Sequence, residues 1–381
     1  MKTAMIARAW RTPLGHTIDA AMARLNAGER AASVDPRVGY ACTTIAPIRD
    51  QPAHSRQARF LGRMGLFGLE VAAEALAASG IAGGPRVGVF CGVGGLRAHW
   101  EDMMAAFAHQ RDDGQRMWER GLRDVHPYWM LRHLSNNVHA LASASLGLRG
   151  EGAVFGGGNG GAQAIVAASR ALWDGAIDAA LVVAYDSLLE PETLVELGAR
   201  RSATVAPLAG LIAPYATDSA GYVPGEAAAA IVLVREAPAA LAWIDARDGA
   251  DDDARTTATL AHCAGGLARD ATVVAGAARA WPDLDGDERQ VVAGLVDPGA
   301  ALVAPSAAMG QLGAATTVVQ AIVLAEALRA QLLPPIAGLE RAAAGPLVPV
   351  VGATTTSARI ALGLHASAPG LAAAIRVEVA P

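Results

Sequence analysis

Gly147-Leu148-Arg149-Gly150-Glu151-Gly152-Ala153-Val154-Phe155-Gly156-Gly157-Gly158-Asn159-Gly160-Gly161-Ala162-Gln163-Ala164-Ile165 is the stretch whose reading decides the fold. Residues 153–155 are apolar and short enough for a buried strand, residues 156–161 are glycines around Asn159, and an apolar face then opens at Ala162, Ile165 and Val166. The pattern predicts a strand over 153–155, a tight corner, and a helix over 162–173. Glycine admits backbone angles that other residues avoid, and the unpaired N–H groups of a helix start present partial positive charge to whatever sits at the turn. Such a corner suits a nucleophile, because the dipole favours a thiolate and the amides can serve as an oxyanion hole. Here it offers only Gly158 and Asn159.

Around that corner lie 381 residues, 52% hydrophobic and 18% charged, enough for one large domain or two fused ones with a sizeable core. A formal net charge of -5 and the lack of any Lys/Arg-rich run give no case for a nucleic-acid partner. Arg8 and Arg11 interrupt the apolar residues of the N-terminus, and no charge-free apolar run of roughly 18 residues follows, so neither a signal peptide nor a membrane span is expected. Cytoplasmic residence is the default expectation. Cys42, Cys91 and Cys263 are too far apart for metal-ligand spacing or a disulfide framework, and read as buried small side chains. The run Asp251-Asp252-Asp253 reads as a solvated loop, so no metal and no cofactor is expected. Lys2 is the only lysine, which excludes any mechanism needing an internal ammonium.

Taken in order, the chain predicts a strand over 1–10, a helix over 61–79 stopped by Gly80, and a strand over 86–91 running into Gly92-Val93-Gly94-Gly95. That glycine run lacks the Lys and Ser/Thr of a phosphate loop and reads as a tight turn. Residues 99–132, rich in Met, Trp and His, look like a helical insertion, with Met103, Met104 and Met117 able to meet an acyl chain or simply to pack. After the corner come a fully buried strand over 177–184, a helix from Pro191, and a strand over 229–234 preceded by Gly221-Tyr222-Val223-Pro224-Gly225-Glu226. A second strand-first half begins near 240. It predicts helices over 256–268 and 313–330 and strands over 272–275, 302–304, 348–351 and 358–362.

These motifs resemble the β-ketoacyl-acyl-carrier-protein synthases. The Gly147-Leu148-Arg149-Gly150 run, the glycine corner, and above all Gly221 to Glu226 match that family. The resemblance implies an α/β, thiolase-like, pseudo-duplicated fold with layered α-β-α-β-α architecture, its halves covering 1–238 and 239–381. It also implies a cysteine at the corner. Counting forward from Gly147 places it at Asn159, and counting back from Ile165 places it at Gly158. A first histidine would fall on Arg279, in a segment whose closing Gly-Asp is Gly286-Asp287, and the lysine and second histidine would fall on Ser306 and Gln311. The pocket-gating phenylalanine would be Ala353. None of the nine histidines lies between 263 and 364.

Cysteine, both histidines and lysine are thus absent together, while the glycines and the Glu226 corner remain. No catalytic residue is expected. The resemblance implies a non-catalytic homologue acting like a chain-length factor, paired with an active ketosynthase subunit or with itself, and working with an acyl carrier protein in polyketide, polyene or fatty-acid-like synthesis. Gln163 and the 99–132 insertion are candidates near that interface. Two alternatives stay open. One is a residual acyl-thioester enzyme, a decarboxylase or acyltransferase, enlisting Cys91 or Ser306. The other is a scaffold that docks a carrier protein.

Overall fold

In a computed structural model the predicted segments assemble as one mixed sheet with helices on three levels. It describes residues 1–47, 58–95, 99–100, 102–104, 123, 125, 127–251, 256–368 and 370–380. The first half carries β1 (Thr3–Arg11), α1 (Ile18–Asn26), β2 (Ser33–Val34), β3 (Ala41–Cys42), α2 (Arg63–Ser79), β4 (Val87–Val93), α3 (Trp129–His133), α4 (Asn137–Leu146), β5 (Ala153–Gly156), α5 (Gly160–Trp173), β6 (Ala179–Ser187), α6 (Pro191–Ala199) and β7 (Glu226–Val234). The second half carries β8 (Ala242–Ala250), α7 (Thr256–Ala264), β9 (Val273–Ala275), α8 (Pro282–Ala293), β10 (Ala301–Val303), α9 (Ser306–Met309), α10 (Thr316–Ala330), β11 (Leu332–Leu333), β12 (Val348–Pro349), β13 (Thr354–Thr355), β14 (Ile360–Ala368) and β15 (Leu371–Glu378). The expected boundary at 238/239 lies in the connection between β7 and β8.

Strand order shows the internal repetition that residue identity hides. Along the sheet the strands run β12-β10-β9-β14-β15-β8-β1-β7-β6-β4-β5. Outward from β1, the pairings to β7 and on to β6 are antiparallel, then β4 and β5 are parallel. Outward from β8, β15 and then β14 are antiparallel, then β9 and β10 are parallel. The same order and the same directions occur twice, back to back.

Helices α5 and α10 form the middle layer. α5 packs on β4, β5 and β6 but also touches β8, while α10 packs on β14 and β15 and touches β7. Each therefore meets both halves, and a single apolar cluster joins Ile165 and Leu172 to Ile322, Val323 and Ile375. α10 is buried almost all round, which accounts for its apolar composition: 83% of Gly313–Ala330 is inside the protein. α2 covers the outer face of the first half, and α7 with α8 covers that of the second, each over its own apolar cluster. The result is five alternating layers.

Most predicted elements fall within a few residues of the observed ones, and the departures have causes. α5 begins at Gly160, two residues before the expected start, because these glycines pack closely: a Cβ on Gly161 would overlap the Ala314 carbonyl of the other half. α2 starts at Arg63 and ends at Gly80 in the left-handed region, as the stop signal required.

Glu226, the first residue of β7, is completely buried. Its carboxylate accepts from the Ile45 amide (2.8 Å) and the Ser187 hydroxyl at the end of β6 (3.0 Å), and pairs with Arg63 at the start of α2. One charge therefore fixes a strand, a helix start and a loop together. Removing a single partner of such a buried group leaves the others unpaired. Glu226→Ala is expected to lower the unfolding free energy by about 3–5 kcal/mol in urea titrations. Glu226→Gln, which still accepts at one oxygen, should lose less.

Candidate functional site

The two candidate positions at the corner face different ways. Gly157 takes a left-handed φ of 103°, its amide donating to Val93 O at 2.8 Å, and this turn brings Gly158 onto the wall of a cavity of about 440 Å3. Asn159, at the start of α5, is buried and turns away from it. Its Nδ2 donates to Ala372 O (2.9 Å) and more weakly to Gly249 O (3.4 Å), and its Oδ1 accepts from Ser367 Oγ (3.2 Å). The forward and backward counts are thus separated by geometry: Gly158 looks into the cavity, Asn159 stitches the corner to the second half.

Opposite the corner stand Gln311 and Asp186. Gln311 is buried and donates through Nε2 to Ala277 O (2.6 Å) and Ala278 O (3.0 Å), while Asp186 Oδ2 accepts from the Ala314 amide (2.9 Å). Both line the cavity. Gln311 holds backbone, and a carboxamide is too weak a base to take a proton at neutral pH.

Arg279 does not reach this cavity. It lines a neighbouring one of about 900 Å3 together with Trp281, and its Nη2 donates to Leu284 O at 3.2 Å. Its neighbours Ala278 and Ala280 take left-handed φ values of 50° and 54°, each costing roughly 1–2 kcal/mol for a residue with a side chain. Nor are Gly286 and Asp287 the buried end of that segment, since Asp287 is exposed. The buried acids are Asp285 and Glu288. Gln311 donates to the carbonyls of Ala277 and Ala278, so the expected second-histidine position meets the backbone just before Arg279, although the Arg279 side chain lines the other cavity.

Ala353 is corrected more strongly. It is exposed beside β13, which pairs with β11 away from the corner. The turn that reaches Gly158 is the β14–β15 hairpin, whose residues Ala366, Ser367 and Ala368 line both cavities. Ser306 opens α9 and lines a separate cavity of about 20 Å3. Cys91 is fully buried on β4, with burial pushing its thiol up to about 12. Gln163 donates to Asp248 Oδ2 at 3.1 Å, linking α5 to β8. Met103 is half-buried and Met104 exposed, and neither lines the cavities beside the corner; Met117 lies outside the described residues. Across Gly94 from the corner, a small cavity of about 60 Å3 has a mixed lining in which His99, Arg132, His133 and Glu190 stand beside Leu61, Met64 and Leu134.

One imidazole escaped the interval that sequence reasoning searched. His365, one residue beyond its end, is buried on β14, lines the cavity, and stands 3.0 Å through Nε2 from Gly158 O. A carbonyl only accepts, so Nε2 carries the proton and Nδ1 is a lone pair, with no hydrogen-bond partner among the described residues. Burial lowers this ring to about 4, so it is neutral at physiological pH. A lone histidine in an alanine-rich run carried no motif that would have singled it out.

A five-layered, internally repeated α/β chain with a glycine corner at a central helix start, facing a cavity shared by both halves, has the thiolase-like fold. The family model described as "Beta-ketoacyl synthase, N-terminal domain" matches residues 6–239, more than half of the sequence, and the chain belongs to that family. Among solved structures, a β-ketoacyl synthase from Burkholderia phymatum STM815 is similar over 100% of both chains, with a TM-score of 0.83 at 17% identity. The ishigamide ketosynthase/chain length factor is similar over 100% of this chain and 99% of that one, with a TM-score of 0.83 at 15% identity. At such identities the likeness is one of fold. No curated protein matches the sequence.

The Asp285–Glu288 pair carries a pH signature. Tyr215 OH donates to Glu288 Oε1 (2.8 Å), and the Tyr215 amide donates to Asp285 Oδ2 (3.0 Å). Burial pushes Glu288 up to about 7, helped by the neighbouring Asp285, and burial likewise raises Asp285. A carboxyl raised on folding contributes stability that is fully present below its unfolded value and is lost as pH rises through the folded one. His365 has the opposite sign and loses its contribution as pH falls toward 4. Thermal unfolding of wild type and Glu288→Gln should therefore diverge between pH 5 and about 7.5, the wild type losing stability relative to the variant. Parallel curves would refute the assignment.

Proposed function

We propose that this chain is a non-catalytic member of the β-ketoacyl synthase family, acting like a chain-length factor as partner of an active ketosynthase subunit in the cytoplasm. The observation that carries the reading is the corner itself. The residue facing the cavity at the nucleophile's place is a glycine, and the residues opposite it are an amide and a carboxylate engaged in holding backbone. Such a site retains shape and loses covalent chemistry.

The surface supports a partner. α3 buries none of its residues, and Tyr128, Met130, Leu131 and Leu134 are exposed together on it and beside it. A cluster of large apolar side chains marks a contact surface. Among the described residues β5 is an edge strand of the long sheet, with Ala153, Val154 and Phe155 only half-buried, so another strand could pair along its outer side. The thioester-enzyme alternative has His365 in its favour. A ring lowered to about 4 is nevertheless a weak base at neutral pH. The carrier-protein scaffold draws on Arg200 and Arg201 at the larger cavity, where binding to an acidic protein would be salt-sensitive.

Co-expression with the intact ketosynthase encoded nearest to it should give a one-to-one complex on gel filtration, lost when Val154→Lys places a charge on the edge strand. A stable homodimer that ignores every such ketosynthase would count against the reading. Pure protein incubated with acyl and malonyl thioesters should release no product above the uncatalysed rate, followed by mass spectrometry.

A further inference from the structure

Gly158 lacks a side chain, yet the space that side chain would fill is occupied. A methyl group built on Gly158 would overlap Ser367 Cβ and stand 2.5 Å from Ser367 Oγ. We infer that Ser367, delivered from the second half of the molecule, sits in the seat of the lost nucleophile, so that what enters the cavity meets a fixed hydroxyl at the start of α5.

Three features of the hairpin put it there. The β14–β15 register shifts between Ala366 and Ala368, so Ser367 is the bulged residue, and a bulge re-aims the side chain it carries. Its Oγ donates to Asn159 Oδ1 at 3.2 Å, and Asn159 is itself anchored to Ala372 O on β15 at 2.9 Å. Two residues earlier on β14, His365 Nε2 holds Gly158 O at 3.0 Å. Hairpin and corner are therefore laced by hydrogen bonds in both directions. The lacing also decides what the hydroxyl can do: its proton goes to an amide oxygen, which is no base, so the serine is placed like a nucleophile without being activated.

The seat keeps its electrostatics. α5 is a 14-residue helix, and the partial positive charge of its first amides faces whatever atom stands there. Ser367 fills this space from the second half, so a side chain placed at residue 158 alone would collide with it. The inference rests on the proposed reading of residue 158 as the nucleophile's place and on the geometry of the corner, not on any partner subunit.

Two experiments on the isolated full chain test it. Alkylation by iodoacetamide, mapped by mass spectrometry, should be at least 10-fold faster at position 158 in Gly158→Cys/Ser367→Gly than in Gly158→Cys alone. Equal rates in two folded variants would show that Ser367 is not in the way. The second test leaves Gly158 unchanged: Ser367→Cys alone serves where the first variant fails to fold. Its thiol should be alkylated with a pH midpoint below the ordinary value of about 8.5, as expected at a helix start. A midpoint at or above that value overturns the assignment. Failure to find a partner ketosynthase would leave both results untouched.

Discussion

Two central helices begin within touching distance of each other, and everything at the site depends on that approach. Gly161 in the first turn of α5 lies against the Ala314 carbonyl just before α10, at a separation no side chain would allow. The contact brings together a corner from the first half and the segment 311–315 from the second, and it closes the cavity between them. It also sets the middle layer on which both halves of the sheet rest, since α5 and α10 each touch strands of both. Close-packed interiors tolerate little volume change at such a point.

Around this contact lies a polar scaffold whose side chains hold backbone. Glu226 satisfies an amide, a hydroxyl and a guanidinium in the interior. Gln311 occupies its place by binding two carbonyls, and Asn159 by binding the hairpin. Neutral amides suit these positions because they satisfy buried backbone groups without the desolvation cost of a charge. The Tyr215, Asp285 and Glu288 cluster belongs to the same scaffold, and the left-handed alanines on either side of Arg279 show that its backbone path is held at some cost.

How much of this was legible in the sequence depended on whether a segment's signal was local. α2 and α5 carry apolar periodicity, and α10 and the strands at 87–93, 179–187 and 226–234 carry continuous apolar runs, and they appear within a few residues of where those patterns put them. α8 was hidden because its acids, read as a motif, obscured the proline that starts a helix. β15, Leu371–Glu378, went unread because its alanine-rich run has neither alternation nor a strong β-former until Ile375. Missing β15 meant missing the hairpin, and with it His365 and Ser367.

The sequence by itself determined the order of most strands and helices, the glycine corner, the corner at Gly221 to Glu226 and the set of residue types on hand for chemistry. Those are properties of composition and short-range spacing, where each residue's preference is fixed by its own backbone and side chain. Only the tertiary structure decided which of Gly158 and Asn159 faces the cavity, that Ala353 stands apart, and that a serine more than 200 residues away fills the place beside Gly158. Those depend on a one-residue bulge and on the crossing of two helices, and register of that kind is set by packing between distant segments, which no local pattern encodes.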